Sequence, residues 1–110
     1  MANVANIAPA ELKHRLDDGE HIDVIDVRES WELSIMRLPF ARHIRMIEIL
    51  SRLSEIPRDC PVVFFCRTGS RSTRTVEILH LRGYDNIYNL EGGILAWARE
   101  IDPQLPQYYI

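Results

Sequence analysis

A cysteine stands between an apolar run and a helical pattern in the segment FFCRTGSRSTRTVEIL, residues 64–79. Cys66 follows the apolar run directly, Gly69 lies in the turn after it, and Arg71 comes near the start of the helical pattern. Because glycine allows positive φ and close approach of a ligand, several N–H groups of this turn can point at one spot. The helix N-terminus adds positive potential there. We therefore expect Cys66 to be largely a thiolate, the form of cysteine that acts as a nucleophile.

The residues that follow Cys66 are candidates for binding a substrate: Arg67, Thr68, Gly69, Ser70, Arg71 and Ser72. Their N–H groups would stabilise an anion carried on the sulfur. Arg71 can add a bidentate grip on an oxyanion, whereas Arg67 is expected to point outward and steer substrates. Ser70 or Ser72 can cap the helix that follows.

The second cysteine, Cys60, has no such surroundings, since it lies between Asp59 and Pro61 ahead of the apolar run. The extended chain between the two cysteines spans about 20 Å, so we expect no disulfide. Two cysteines cannot form a disulfide framework, which favours a reducing compartment, and we expect the protein to be cytoplasmic. The four histidines lack metal-ligand spacing, so we expect no metal site and no cofactor.

Strands and helices are predicted to alternate along the chain. Apolar or β-branched runs predict strands at residues 22–27, 43–45, 61–65 and 86–90. Helical spacing, with proline and glycine punctuation, predicts helices at residues 6–19, 31–36, 46–53, 70–83 and 93–101. This order is typical of an α/β fold, with a mostly parallel central sheet flanked by helices on both faces. Cys66 would then lie at the carboxyl end of a strand, where such sheets have their working crevice.

Length and charge narrow the function classes. The 110 residues favour one domain, with a core at about 7–101 and a tail at 102–110. A net charge of −3 argues against a nucleic-acid binder, although residues 34–82 carry nine arginines against four acidic residues. No apolar stretch is long enough to span a membrane, and the first residues lack the pattern of a secretory signal.

Three segments carry a resemblance to a known family. CRTGSRS resembles the active-site loop of the rhodanese-like sulfurtransferases, IDVIDVRESWE resembles their early Asp-Val-Arg-Glu segment, and NLEGGILAW resembles their closing Leu-x-Gly-Gly and Trp segment. The match runs from about Ile7 to Pro106. The resemblance implies a single rhodanese-like domain over 1–110 and a thiosulfate or persulfide sulfurtransferase that works through a persulfide on Cys66.

One segment departs from the family pattern, which usually reads Gly-His-Ile-Pro-Gly-Ala. This chain has MRLPFA at 36–41, so that Met36 and Phe40 replace two glycines. Positive φ would be costly at both positions. The change either repacks a turn, which we favour, or exposes an apolar patch for a partner.

Three further residues are candidates for the rim of the pocket. Asp26 and Arg28 end a strand predicted to neighbour that of Cys66, although a salt bridge that orders the strand end is the favoured reading. Trp31 and Trp97 are expected in the core, with Trp31 as a secondary candidate for the pocket mouth.

The length of the loop separates sulfur transfer from phosphoryl chemistry. Cysteine-dependent phosphatases and arsenate reductases place five residues between cysteine and arginine, whereas four lie between Cys66 and Arg71. The shorter loop would hold one sulfur atom and crowd a phosphoryl group. A non-catalytic or weakly catalytic sulfur-relay partner module stays open, as does, less favoured, a phosphatase or arsenate reductase.

The expected partners are a small anionic sulfur donor (thiosulfate or a persulfide) and a thiol or protein sulfur acceptor. We expect no nucleic acid and no membrane among the partners, and a monomer or weak dimer.

Overall fold

The computed structural model describes residues 4–105. Over that range, the strands are β1 (Asn6–Ile7), β2 (Asp23–Asp26), β3 (Arg42–His43), β4 (Val62–Phe65) and β5 (Ile87–Leu90). The α-helices are α1 (Pro9–Asp17), α2 (Ser70–Leu81) and α3 (Gly93–Glu100). Short 3₁₀ segments cover Ser30–Ser34, Met46–Ser51 and Leu53–Glu55.

The strands form one sheet in the order β1-β5-β4-β2-β3, and neighbouring strands pair in parallel. The central strand β4 is apolar throughout and fully buried, as expected for a strand covered on both faces. Val62 and Phe64 pack into a core beneath α2, whereas Val63 and Phe65 pack into a second core beneath α1 and α3. The prediction of an α/β fold with a parallel sheet between two helical layers is therefore confirmed.

The first residues of the predicted N-terminal helix are strand instead. Asn6 pairs with Asn89 and Ile7 pairs with Leu90, which makes β1 an edge strand beside β5. The helix begins only at Pro9, whose fixed φ suits the first turn. The expected short helices before and after β3 are 3₁₀ turns. Of the predicted tail at 102–110, residues 106–110 lie outside the described part, and the division into a core and a tail stays a prediction.

The segment that departs from the family pattern contributes to the core. Met36 is buried between sheet and helices, and Phe40 is half-exposed with its ring centroid 5.5 Å from that of Trp97. Positive φ values within residues 4–105 occur at glycines alone, so neither substituted residue carries left-handed strain. The burial of Met36 agrees with repacking of the turn.

No helix within residues 4–105 has the length and apolarity needed to cross a membrane.

Candidate active site

Strand β4 delivers Cys66 to the base of a tight turn that ends in α2. Its thiol is buried, with 1% of the residue exposed. The amide of Gly69 donates to Sγ across 3.1 Å, and the hydroxyl of Ser72 lies 3.4 Å from the same sulfur. Gly69 has φ of +115° and stands at the N-cap of α2, a conformation that favours glycine. The turn therefore points the Gly69 N–H at the sulfur and places the Ser72 hydroxyl beside it, at the positive end of a helix.

The helix α3 fixes the backbone of this turn. The amide of Ile94 donates to the carbonyl of Cys66 across 2.9 Å, and that of Leu95 donates to the carbonyl of Arg67 across 3.2 Å. Gly93 makes this approach possible, because a Cβ there would lie 2.4 Å from the Arg67 carbonyl oxygen. The Gly-Gly motif thus lets α3 dock directly on the cysteine loop.

The side chain of Arg71 is held by a carboxylate that the sequence reading did not single out. Glu32 accepts two hydrogen bonds from the guanidinium, of 2.6 and 2.9 Å, and only 3% of the residue is exposed. Burial alone would raise the pKa of Glu32, but the hydrogen bonds from Arg71 and from the Glu29 amide outweigh it, so the net pKa is lowered. Arg71 is therefore oriented by an ionised carboxylate, which nothing local in the sequence could indicate.

Asp26 and Arg28 form a buried ion pair at the end of β2. The guanidinium donates to both carboxylate oxygens, at 2.9 Å from Nε and 2.7 Å from NH2. It also donates across 2.8 Å to the carbonyl of Met36, which ties the strand end to the chain leading into β3. Neither side chain reaches solvent, so neither can border an open crevice in this structure. Their geometry corresponds to the favoured reading of a salt bridge that orders the strand end.

Trp31 is 58% exposed, so the expectation that it belongs to the core is wrong, whereas Trp97 is buried as expected. The 3₁₀ segment turns Glu32 inward to meet Arg71 and leaves its neighbour Trp31 outside. Trp31 thus lies on the segment that contacts α2, and its role at a pocket mouth stays a prediction.

The remaining loop residues differ in exposure. Thr68 and Ser70 are exposed, and Arg67 is half-buried. No serine side chain caps α2, contrary to the expectation for Ser70 or Ser72. The hydroxyl of Ser72 lies inside the first turn instead, 2.5 Å from Oδ1 of Asn89 on β5. Asn89 is a second polar residue that the sequence reading missed, because it sits in an apolar strand pattern.

The surroundings of Cys60 disfavour its thiolate. Burial raises the pKa of the Cys60 thiol, and the charges of Asp59 and Asp23 add to the effect. Both cysteines are free thiols. Residues 4–105 contain no cluster of three His, Cys, Asp or Glu side chains that could hold a metal ion.

Known proteins resemble this chain in sequence and in fold. A family model described as "Rhodanese-like domain" matches residues 8–100. A "Sulfurtransferase" of Allochromatium vinosum is 41% identical over 96 residues, which cover 87% of this chain and 90% of that protein. A putative sulfurtransferase of Bacillus subtilis is 36% identical over 101 residues, with coverage of 92% and 97%. A solved structure of a rhodanese-like domain protein from Staphylococcus aureus has a TM-score of 0.81 at 30% identity, covering 96% of this chain and all of that one.

Proposed function

Since the chain belongs to the rhodanese-like domain family, we propose that it is a sulfurtransferase that carries a sulfane sulfur as a persulfide on Cys66. The observation that carries the proposal is the Gly69 amide, which donates to Sγ at the N-terminus of α2, with the Ser72 hydroxyl 3.4 Å from the same sulfur. Hydrogen-bond donors and a helix N-terminus both stabilise a sulfur anion.

The first step loads the cysteine. The Cys66 thiolate attacks the outer sulfur of thiosulfate, a new S–S bond forms, and the bond to the sulfonate sulfur breaks with its electron pair leaving on sulfite. A persulfide donor would react in the same way, with a thiolate as the leaving group. The positive charge of Arg67 favours the approach of such an anion, whereas the charge of Arg71 is compensated by Glu32.

The second step unloads it. A nucleophilic acceptor (cyanide in an assay, a thiol or a protein partner in the cell) attacks the outer sulfur, and the S–S bond breaks with its electron pair returning to Cys66. The thiolate is then restored, and the proposed cycle requires no external oxidant or reductant. The N–H groups from Arg67 to Ser72 would cradle the persulfide between the two steps.

The short loop supports sulfur rather than a phosphoryl group as the cargo. Four residues lie between Cys66 and Arg71, and the Gly69 amide is already 3.1 Å from Sγ. The docking of α3 through Gly93 leaves the backbone of this loop little freedom to widen. A tetrahedral phosphoryl group would need more donors at a larger radius.

The cellular setting belongs to the same proposal. We propose a thiol or a protein partner as the acceptor, because both supply a nucleophile for the outer sulfur. Two free cysteines fit a reducing compartment such as the cytoplasm.

Intact-mass analysis before and after incubation with thiosulfate tests the proposal. We expect a gain of one sulfur atom, lost again on addition of cyanide. Cys66→Ser should abolish the gain, and the matched control Cys60→Ser should keep it. Full thiocyanate production by Cys66→Ser would refute the assignment of the nucleophile.

The same preparation discriminates the alternatives. Turnover of an aryl phosphate without sulfur loading would favour a phosphatase. Sulfur loading that is slow with thiosulfate but fast from a protein persulfide would favour a relay module.

A further inference from the structure

A chain of buried polar side chains leads away from the reactive sulfur. Ser72 Oγ lies 3.4 Å from Cys66 Sγ and 2.5 Å from Oδ1 of Asn89. Nδ2 of Asn89 donates across 3.0 Å to Oδ1 of Asn6. Ser72 and Asn89 are buried, whereas Asn6 is exposed on the edge strand β1. The chain therefore connects the sulfur with the surface through one hydroxyl and two amides.

The hydroxyl of Ser72 has a single proton to donate. Its nearest acceptor is Asn89 Oδ1, ahead of the Gly69 carbonyl at 3.2 Å and of Sγ. With the proton on the Asn89 side, a lone pair of the hydroxyl faces the sulfur and can accept from a neutral S–H. This direction of the chain suits a thiol on Cys66.

A sulfur anion demands the opposite direction. The Ser72 proton must then turn to Sγ, which would leave Oδ1 of Asn89 buried without a donor, a costly arrangement. A half-turn of the Asn89 amide removes the problem, because Nδ2 would then donate to Ser72 and Oδ1 would accept from Asn6. Asn6 is exposed, so its own amide is free to turn and donate.

We propose that Asn89 is a positioning residue whose amide reverses with the charge on Cys66, so that Ser72 can donate to the sulfur anion at no cost elsewhere. The inference rests on the proposed function only in taking Cys66 as the reacting residue. It also gives a role to the exposed Asn6, whose amide would donate to Asn89 when Cys66 is an anion.

Charged side chains on the elements next to Cys66 stay unchanged in the test. They are Arg67 in the loop, Arg71 on α2, Glu32 on the 3₁₀ segment, the Asp26–Arg28 pair after β2 and Glu91 before α3.

Asn6→Asp should hold the chain of hydrogen bonds in the direction that suits a neutral thiol on Cys66. A carboxylate can only accept a hydrogen bond, so it would keep Nδ2 of Asn89 as its donor. In a Cys60→Ser background without any sulfur donor, the thiolate of Cys66 is titrated by its ultraviolet absorbance. We expect the thiolate-to-thiol ratio at a fixed pH near the midpoint to fall about three- to tenfold, the worth of one hydrogen bond. Ala5→Asp, which adds the same charge at the neighbouring exposed residue, should change it less than about twofold. Roughly 0.5 M salt should leave the effect of Asn6→Asp in place, since salt screens exposed charges but not a direct hydrogen bond.

Equal effects of Asn6→Asp and Ala5→Asp, or their equal loss in salt, would overturn the proposal. Because no sulfur donor is present, that failure is distinct from a failure of persulfide loading.

A measurement on the Cys60→Ser chain, with no second substitution, guards against a variant that does not fold. The side-chain amide signals of Asn89 and Asn6 in NMR spectra should shift with the midpoint of the thiolate absorbance, whereas those of Asn86 should not. Asn86 is a suitable reference because its amide donates to the carbonyls of Pro57 and Cys60 and takes no part in the hydrogen bonds that link Cys66 to Asn6. Amide signals of Asn6 that do not shift during the titration would refute the proposed reversal of the Asn89 amide.

Discussion

Replacing Glu32 by glutamine keeps the shape of the side chain but removes the charge that holds Arg71. Breaking a fully buried pair costs about 3–5 kcal/mol, because the remaining charge is left without compensation. The side chain of Arg71 is 34% exposed, so water can solvate much of the freed guanidinium. We therefore expect Glu32→Gln to lower the free energy of unfolding at pH 7 by about 1–2 kcal/mol. For a domain of this size, that corresponds to a fall in Tm of roughly 4–10 °C.

The pH dependence of this difference has a definite sign. The pKa of Glu32 in the folded protein lies below its usual value of 4.5, so the unfolded chain takes up the proton first as the pH falls. The stabilisation is therefore complete above about pH 4.5 and is lost as the pH falls through the lowered folded value. The gap between parent and variant should close in acid.

Urea unfolding of the parent, Glu32→Gln, Arg71→Gln and the double variant measures the coupling. We expect the two single changes to be clearly non-additive at pH 7 and to become steadily more additive as the pH falls below 4.5 towards the lowered pKa of folded Glu32. Glu55→Gln is the matched control, since Glu55 pairs with Arg52 at the surface, and we expect no measurable change from it. Additive single changes at pH 7, or a gap that does not shrink as the pH falls below 4.5, would refute the reasoning.

Two further substitutions test the frame of the site. Gly93→Ala should lower the free energy of unfolding by about 2–5 kcal/mol and slow sulfur loading, because its Cβ would press on the Arg67 carbonyl at positive φ. The control Gly83→Ala should lower it by only about 1–2 kcal/mol, through backbone strain, and leave sulfur loading unchanged. Thermal unfolding and intact-mass kinetics compare the two variants, and equal losses would contradict the close contact at Gly93. Arg28→Lys should lower the free energy of unfolding, measured in urea, by about 1–3 kcal/mol, because an ammonium group keeps the charge but not the two parallel hydrogen bonds to Asp26. An unchanged stability would refute a structural role for the guanidinium group.

Local patterns in the sequence were sufficient to predict the central elements. The apolar run of β4 and the glycine after Cys66 specify strand, turn and helix within one short segment, and the structure has all three there. By contrast, β1 consists of only two residues, and its strand character comes from pairing with β5 at the far end of the chain. A window of neighbouring residues contains no information about that pairing, so Asn6 and Ile7 were assigned to the helix.

The polar residues around the sulfur were harder to find for the same reason. Glu32 stands beside Trp31, and hydrophobicity alone predicts the tryptophan inside and the glutamate outside. The structure has the reverse, because two strong hydrogen bonds from Arg71 compensate the burial of the carboxylate. Asn89 likewise reads as an interruption of an apolar strand until Ser72 is placed opposite it.

The docking of α3 on the cysteine loop has a consequence for the way the protein matures. The carbonyls of Cys66 and Arg67 find their donors on Ile94 and Leu95, far downstream in the chain. Contacts of such long sequence separation form late, since the entropy of closing the intervening loop must be overcome first. During synthesis the cysteine therefore leaves the ribosome well before the segment that shapes its surroundings. Its reactivity towards a thiol-specific reagent should therefore change when α3 docks on the loop, so that Cys66 reports this docking step.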